Sequence, residues 1–271
     1  MGRKIMKTIF TFMIGWLMIV AWTACVTNSE GRKSFNLIGD AQMTSMGESA
    51  YVDVIAKARS EGRLVGRGTP QFDLVERIGR RIAAVSGADF KWEFNVIDEP
   101  KTVNAFCLPG GKIAVYTGIF PVAKTEAALA VIMGHEVAHA TMRHGAERMS
   151  QQLAVAGLAS AAEISLRDQK YRSLWLGALA LGANFGVILP YSRGHESEAD
   201  AVGLKYSARA GYDPGVAPAL WERMGASGKA PPEFISTHPD PANRAKMLAA
   251  LQEKVRPLFE NSDRQSDRPI L

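Results

Sequence analysis

The segment from Glu126 to Ser150 constrains this chain more than any other. It reads as one long helix with Thr125 as its N-cap, and it carries His135-Glu136-Val137-Ala138-His139 inside an apolar run that includes Val131 and Ile132. A helix turns once in about 3.6 residues, so His135 and His139 project from one face. An apolar helix is a buried helix, and two imidazoles and a carboxylate are costly to bury unless a metal or hydrogen-bond partners receive them. The H-E-x-x-H spacing offers two ligands to one metal ion. Glu136 stands beside them without binding the ion, as a general base must. The alternative, a chance match on a surface helix, conflicts with the apolar flanks.

A zinc site of this kind needs a third protein ligand and leaves the fourth position open. Six residues beyond His139 stands Gly145, not a histidine, and His144 is one residue short and reads as a helix-surface residue. A better candidate is Ser192 to Asp200, which opens a helix predicted over Glu196 to Ala210 and stopped at Gly211. Glu196 and Asp200 are four apart and share a face, so Glu196 can reach the metal while Asp200 hydrogen-bonds a ligand imidazole. Glu198 points to a different side. The competing reading is a solvated acidic helix start, which the helix dipole favours.

Taken together, these residues resemble the zincin family that joins the membrane CAAX prenyl proteases to bacterial periplasmic and lipoprotein metalloproteases. Its S-R-x-x-E-x-x-A-D pattern is matched by Ser192 through Asp200. Asn104-Ala105-Phe106, Pro109-Gly110-Gly111 and Thr117-Gly118 resemble its hairpin before the metal helix. Gly211-Tyr212-Asp213-Pro214 and Thr237-His238-Pro239 with Arg244 follow in family order.

The resemblance implies an α+β zincin-like metallopeptidase domain, predominantly helical, with a small sheet beside the metal helix. It implies one zinc ion per chain on His135, His139 and Glu196, with Glu136 as general base. His238 would stabilise the oxyanion or occupy the open metal position in a latent state; the alternative is a plain loop histidine beside Pro239. The strand Lys112, Ile113, Ala114, Val115, Tyr116 would border the cleft with Asn104 and offer an edge to an extended substrate. Arg244 would hold the loop, and Arg193 would pair with a carboxylate in the cleft wall. Protein or peptide substrates follow, with misfolded or unassembled envelope proteins as the expected class. A chaperone-like outer-membrane assembly factor with a latent site is the alternative. A membrane-embedded prenyl-protein protease needs more hydrophobic spans than the chain has.

The remaining segments organise around that core. Arg3, Lys4 and Lys7, the apolar stretch Ile9 to Ala21 and the small residues before Cys25 read as a signal peptide over residues 1–24. Cys25 resembles the lipid-acceptor cysteine of a bacterial lipoprotein, with Trp22 where that signal usually has leucine; ordinary cleavage or an uncleaved anchor are the alternatives. By resemblance to Gram-negative lipoproteins, Val26 rather than Asp after Cys25 implies the outer membrane over the inner in a Gram-negative host, hence a periplasm-facing lipoprotein. Residues 25–40 read as a polar tether, 41–258 as the metallopeptidase domain and 259–271 as a flexible tail. Helices are predicted over 41–59, 71–85 and 243–255, and strands over 92–97, 105–108 and 112–117. Leu174 to Pro190 is charge-free, and its glycines and length fit a semi-buried helix better than a membrane span. Cys107 reads as a small buried apolar residue. The net charge of +5 falls once the basic start is set aside, and no basic run interleaves with aromatics, so nucleic acid is excluded as a partner.

Overall fold

The computed structural model describes residues 25–28, 30–159, 192–226 and 241–270. The predicted signal segment, Leu174 to Pro190 and His238 lie outside them. Strands β1 (Cys25–Thr27) and β2 (Lys33–Phe35) open the fold, followed by helices α1 (Asp40–Ser60) and α2 (Pro70–Ser86). Strands β3 (Glu93–Ile97), β4 (Ala105–Leu108) and β5 (Lys112–Tyr116) come next, then the short α3 (Phe120–Ala123). The rest is helical: α4 (Glu126–Thr141), α5 (His144–Ala159), α6 (Arg193–Arg209), α7 (Ala217–Ala226) and α8 (Pro241–Glu260). The α+β, mostly helical class expected of the sequence is the one observed.

Local chemistry sets these elements. In α2, Thr69 caps the start by accepting from the Phe72 N–H at 3.3 Å, Pro70 occupies the first turn and Gly87 closes the end at φ 71°. The stripe Phe72, Val75, Ile78 and Ile82 is buried against β3 and α4. Burying each such side chain is worth about 1.5–3 kcal/mol. Helix α4 is apolar on all sides and buried from Glu126 to Ala140, as its sequence demanded, because α2, α6 and β4 enclose it. Cys107 is a buried free thiol.

The structure departs from the sequence reading in four places. First, the helix expected over 126–150 breaks: α4 ends at Thr141, Arg143 takes a positive φ of 63°, and α5 starts afresh at His144. A non-glycine residue there costs on the order of 1–3 kcal/mol; Arg143 pairs with the exposed Asp40, and Met142 beside it is fully buried in the core. Second, residues 25–35 form an antiparallel hairpin, not a free tether. It is docked by Lys205 donating to Glu30 at 2.5 Å and, just beyond it, by the Leu37 N–H donating to Ser150 Oγ at 2.8 Å.

Third, the C-terminal residues are strapped down. The Glu126 N–H donates to the Arg268 carbonyl and the Ala127 N–H to Asp267 Oδ1, both at 2.9 Å, and Ile270 is buried. These bonds satisfy N–H groups that every helix start leaves open, which gives a polar tail a fixed place. Fourth, β5 is the middle strand of the order β3-β5-β4, parallel to β3 and antiparallel to β4. Lys112 to Tyr116 therefore has no open edge. Ile113 and Val115 enter the main core, Ala114 joins a second cluster with Tyr51 and Phe106, and Lys112 is buried with Glu93 at 2.5 Å.

Candidate metal centre

The site exists because α4 and α6 cross at nearly backbone contact. A Cβ on Gly134 would lie 2.6 Å from the Gly203 carbonyl oxygen, and one on Gly203 would lie 2.6 Å from the His135 nitrogen. Only glycine fits at both positions. One turn further along α6, Ser207 Oγ donates to the Ala130 carbonyl at 2.9 Å and fixes the crossing. Two turns back from Gly203, Glu196 then arrives opposite the histidine pair. Its helix starts at Ser192, whose side chain accepts from the His195 N–H at 3.2 Å.

His135, His139 and Glu196 converge with ligand atoms within 4.8 Å of one another, all three side chains being buried. His135 Nε2 and His139 Nε2 are 3.0 Å apart, His135 Nε2 and Glu196 Oε2 3.5 Å, and His139 Nε2 and Glu196 Oε1 3.3 Å. Tetrahedral ligands about 2.0–2.1 Å from a zinc ion lie roughly 3.3–3.4 Å from each other. Two imidazoles and a carboxylate at these separations fit that ion in both donor chemistry and size. Glu136 is buried beside them. Burial pushes the Cys107 thiol up, and the Glu136 charge adds to the shift.

Behind His135, Nδ1 lies 3.0 Å from Asp200 Oδ1, so Asp200 orients this imidazole. Arg244 chelates Asp200, with Nε to Oδ2 at 2.9 Å and Nη2 to Oδ1 at 2.5 Å, and gives Nη1 to Glu196 Oε2 at 2.8 Å. Its guanidinium lies 3.5 Å from the Trp221 ring centroid. Arg244 thus neutralises two buried carboxylates, a larger role than the loop support expected of it. Nη2 also comes within 3.2 Å of His135 Nδ1. With Nε2 as the ligand atom, Nδ1 carries the proton, so this is a close approach of two donors that both serve Asp200. Burial acts to raise the Asp200 carboxyl, but Arg244 and the His135 bond hold it below the ordinary carboxylate value. In the metal-free protein burial and Arg244 act to lower His135, while hydrogen bonds to Asp200 and Glu196 overcome them and push it up to about 9. Burial instead holds His139 well below 6.5, and the neighbouring His135 adds to that.

Behind His139 stands the residue that the sequence placed on a helix surface. His144 is fully buried, with Nδ1 2.9 Å from His139 Nδ1 and Nε2 2.8 Å from Glu198 Oε2. The break at Arg143 causes this, because it swings the start of α5 back toward α4. Glu198, expected on a different side, accepts from Asn28 Nδ2 at 2.6 Å and from Arg32 Nε at 2.7 Å. Arg32 also reaches Glu147 at 2.8 Å, and the His144 and His195 rings stack 4.5 Å apart. The five-residue offset from His139 was the one trace of His144 in the sequence; nothing there marked Asn28 or Arg32. Asn104, expected at the cleft, turns its side-chain oxygen back to accept from the Ala105 N–H at 2.9 Å.

A buried H-E-x-x-H helix met by a glutamate from a distal helix defines a metallopeptidase. The chain matches the model of peptidase family M48 over residues 70–252. It is 38% identical over 237 residues to the mitochondrial metalloendopeptidase OMA1 of Schizosaccharomyces pombe, covering 86% of this chain and 67% of that protein. It is 42% identical over 159 residues to the mitochondrial metalloendopeptidase OMA1 of Arabidopsis thaliana, covering 58% and 31%. It is 30% identical over 169 residues to the β-barrel assembly-enhancing protease of Escherichia coli, covering 59% and 34%. The chain belongs to peptidase family M48 and is a metalloendopeptidase, as the motifs implied. It spans two thirds of the fission-yeast relative and about a third of the other two.

Proposed function

We propose that the protein is a zinc endopeptidase that cleaves misfolded or unassembled proteins of a bacterial envelope. The observation that carries the chemistry is the triangle of His135, His139 and Glu196 at the separations of a tetrahedral zinc site. Zinc, when bound, supplies a Lewis acid that lets water lose a proton near neutral pH. Glu136 accepts that proton and returns it to the leaving amine. His238 is the candidate oxyanion donor, supported by the position of Arg244, which shares its motif, at the ligand carboxylate. Strand β4 has β5 on one side only among the described residues and lies against α4, so the edge open to an extended substrate is Ala105–Leu108, not β5.

The basic and apolar start before Cys25 supports export and a lipid anchor there, facing the periplasm from the outer membrane. The name of the E. coli relative supports envelope substrates; those of the mitochondrial relatives bear on the chemistry. Among the described residues no helix is long and apolar enough to cross a membrane. Cys25→Ser would then move the protein from the membrane fraction to the soluble one. Zinc content and casein cleavage, measured on the protein and on Glu136→Gln, test the site. One zinc in both and a loss of cleavage on the order of 10²–10⁴-fold in the variant is the expected pattern. Zinc in both and cleavage in neither favours the second reading, a latent assembly factor. No zinc in the folded parent overturns both.

A further inference from the structure

We propose that His144 and Glu198 are positioning residues for the metal ligand His139, and that the N-terminal hairpin is the part that locks them. The inference rests on His135, His139 and Glu196 holding a metal, and reaches the hairpin from there.

Proton placement carries the argument. A bound metal would be held through the lone pair of His139 Nε2, the atom that faces His135 and Glu196. The proton of His139 is therefore on Nδ1. The atom 2.9 Å from it, His144 Nδ1, must accept. Neutral His144 then carries its own proton on Nε2, and the atom 2.8 Å from that nitrogen is a carboxylate oxygen of Glu198. Each donor meets an acceptor along the row, and no other tautomer of the two rings does this with His139 ligating through Nε2. His139 is thus turned by a carboxylate acting through a second imidazole, where His135 has Asp200 directly.

Glu198 itself is placed by the hairpin. Asn28 takes Oε1 at 2.6 Å and Arg32 takes Oε2 at 2.7 Å. Arg32 spans to Glu147 on α5, so it bolts α5 to α6 across the stacked His144 and His195 rings. Asn28 adds two bonds that shape the hairpin turn, accepting from the Glu30 N–H at 3.1 Å and the Arg32 N–H at 2.9 Å. Undocking the hairpin would remove two of the three groups bonded to Glu198, and the order behind His139 would go with them. Metal affinity and hairpin docking are therefore coupled, and the hairpin begins at the proposed anchor residue Cys25.

The test is zinc affinity by chelator competition on the full chain, with the visible spectrum of the cobalt-substituted protein as a second readout. His144→Phe and Glu198→Gln should each weaken zinc about 10–100-fold and shift the cobalt bands. His144→Asn, whose amide can stand in for Nδ1, should recover most of the affinity; a merely space-filling role would not be rescued this way. Arg32→Ala, at a partly exposed position, should weaken zinc several-fold without unfolding the domain. If His144→Phe does not fold, Glu198→Gln and Arg32→Ala decide. Parent-like affinity and cobalt bands in the folded variants overturn the proposal. His135→Ala separates the two levels: if it keeps zinc, the ligand reading itself fails, and if it alone loses zinc, only the relay fails.

Discussion

The two histidines of the candidate metal site sit one helical turn apart on α4, yet their backs are built differently. His135 is backed by one carboxylate, Asp200, which a buried arginine holds from α8. His139 is backed by an imidazole, then a carboxylate, then a hairpin whose Asn28 and Arg32 lie outside the family match of residues 70–252. The first back is buried and closed by Trp221; the second opens toward a partly exposed arginine. A buried charge pair is stiff but intolerant of loss, because removing one member strands the other. A relay that ends near the surface is adjustable from outside.

The contrast has consequences that can be ordered by size. Arg244→Met should be the most damaging, since it leaves Glu196 and Asp200 buried without their cation. A loss of about 3–5 kcal/mol in the metal-free protein is expected from urea unfolding. Added zinc should restore part of it, because the ion compensates Glu196; no restoration would place the damage elsewhere than at the carboxylates.

Gly203→Ala comes next, as it drives a methyl group into the α4 backbone at His135. About 1–3 kcal/mol of lost stability is expected from overpacking, together with weaker zinc binding, because Glu196 moves with α6. Asp200→Asn and Glu198→Gln compare the two backs directly. Both should lie in the 10–100-fold range for zinc, with Asp200→Asn at the upper end because it also leaves Arg244 half-paired. Equal losses in chelator competition would erase the distinction between a direct and a relayed carboxylate.

The smallest effect is in pH, where the two backs should act with opposite sign. His135 is raised to about 9 in the metal-free protein, so it adds stability below its ordinary pKa that is lost as pH rises through about 9. Glu198 is the reverse. Burial acts to raise it, but hydrogen bonds from His144 and Asn28 with the Arg32 charge hold it at about 2. Its contribution is present above the ordinary carboxylate value and fades as pH falls toward about 2. His144 and His195, both lowered first by burial, resist protonation and withdraw stability below about 6.5. Unfolding midpoints of the metal-free protein should therefore fall on both sides of neutrality. Glu198→Gln should flatten the acid limb alone.

Much of this was legible from residue types and spacing. The H-E-x-x-H pair, the distal Glu196 and Asp200, the stripe of α2 and the β4–β5 hairpin are local patterns, and periodicity or turn chemistry carries them. The break at Arg143 was not, because neither Met142 nor Arg143 is a glycine or proline and the turn is accompanied by contacts made elsewhere, the burial of Met142 among them. The central place of β5 was hidden too, since its partner β3 joins it from across an intervening strand.

What residue order alone determined is therefore the candidate chemistry: which side chains could bind a metal, which carboxylate stands beside them, and which faces must be buried. Tertiary contact settled what surrounds that chemistry. Two glycines set the spacing of α4 and α6, Arg244 came from one end of the chain to neutralise the carboxylates, and Arg32 came from the other to close the row behind His139. A ligand is named by its own side chain and spacing, but the partner that orients it is chosen by distance in space, over 40 residues away for Arg244 and over 160 for Arg32, and local sequence patterns do not encode contacts of that range.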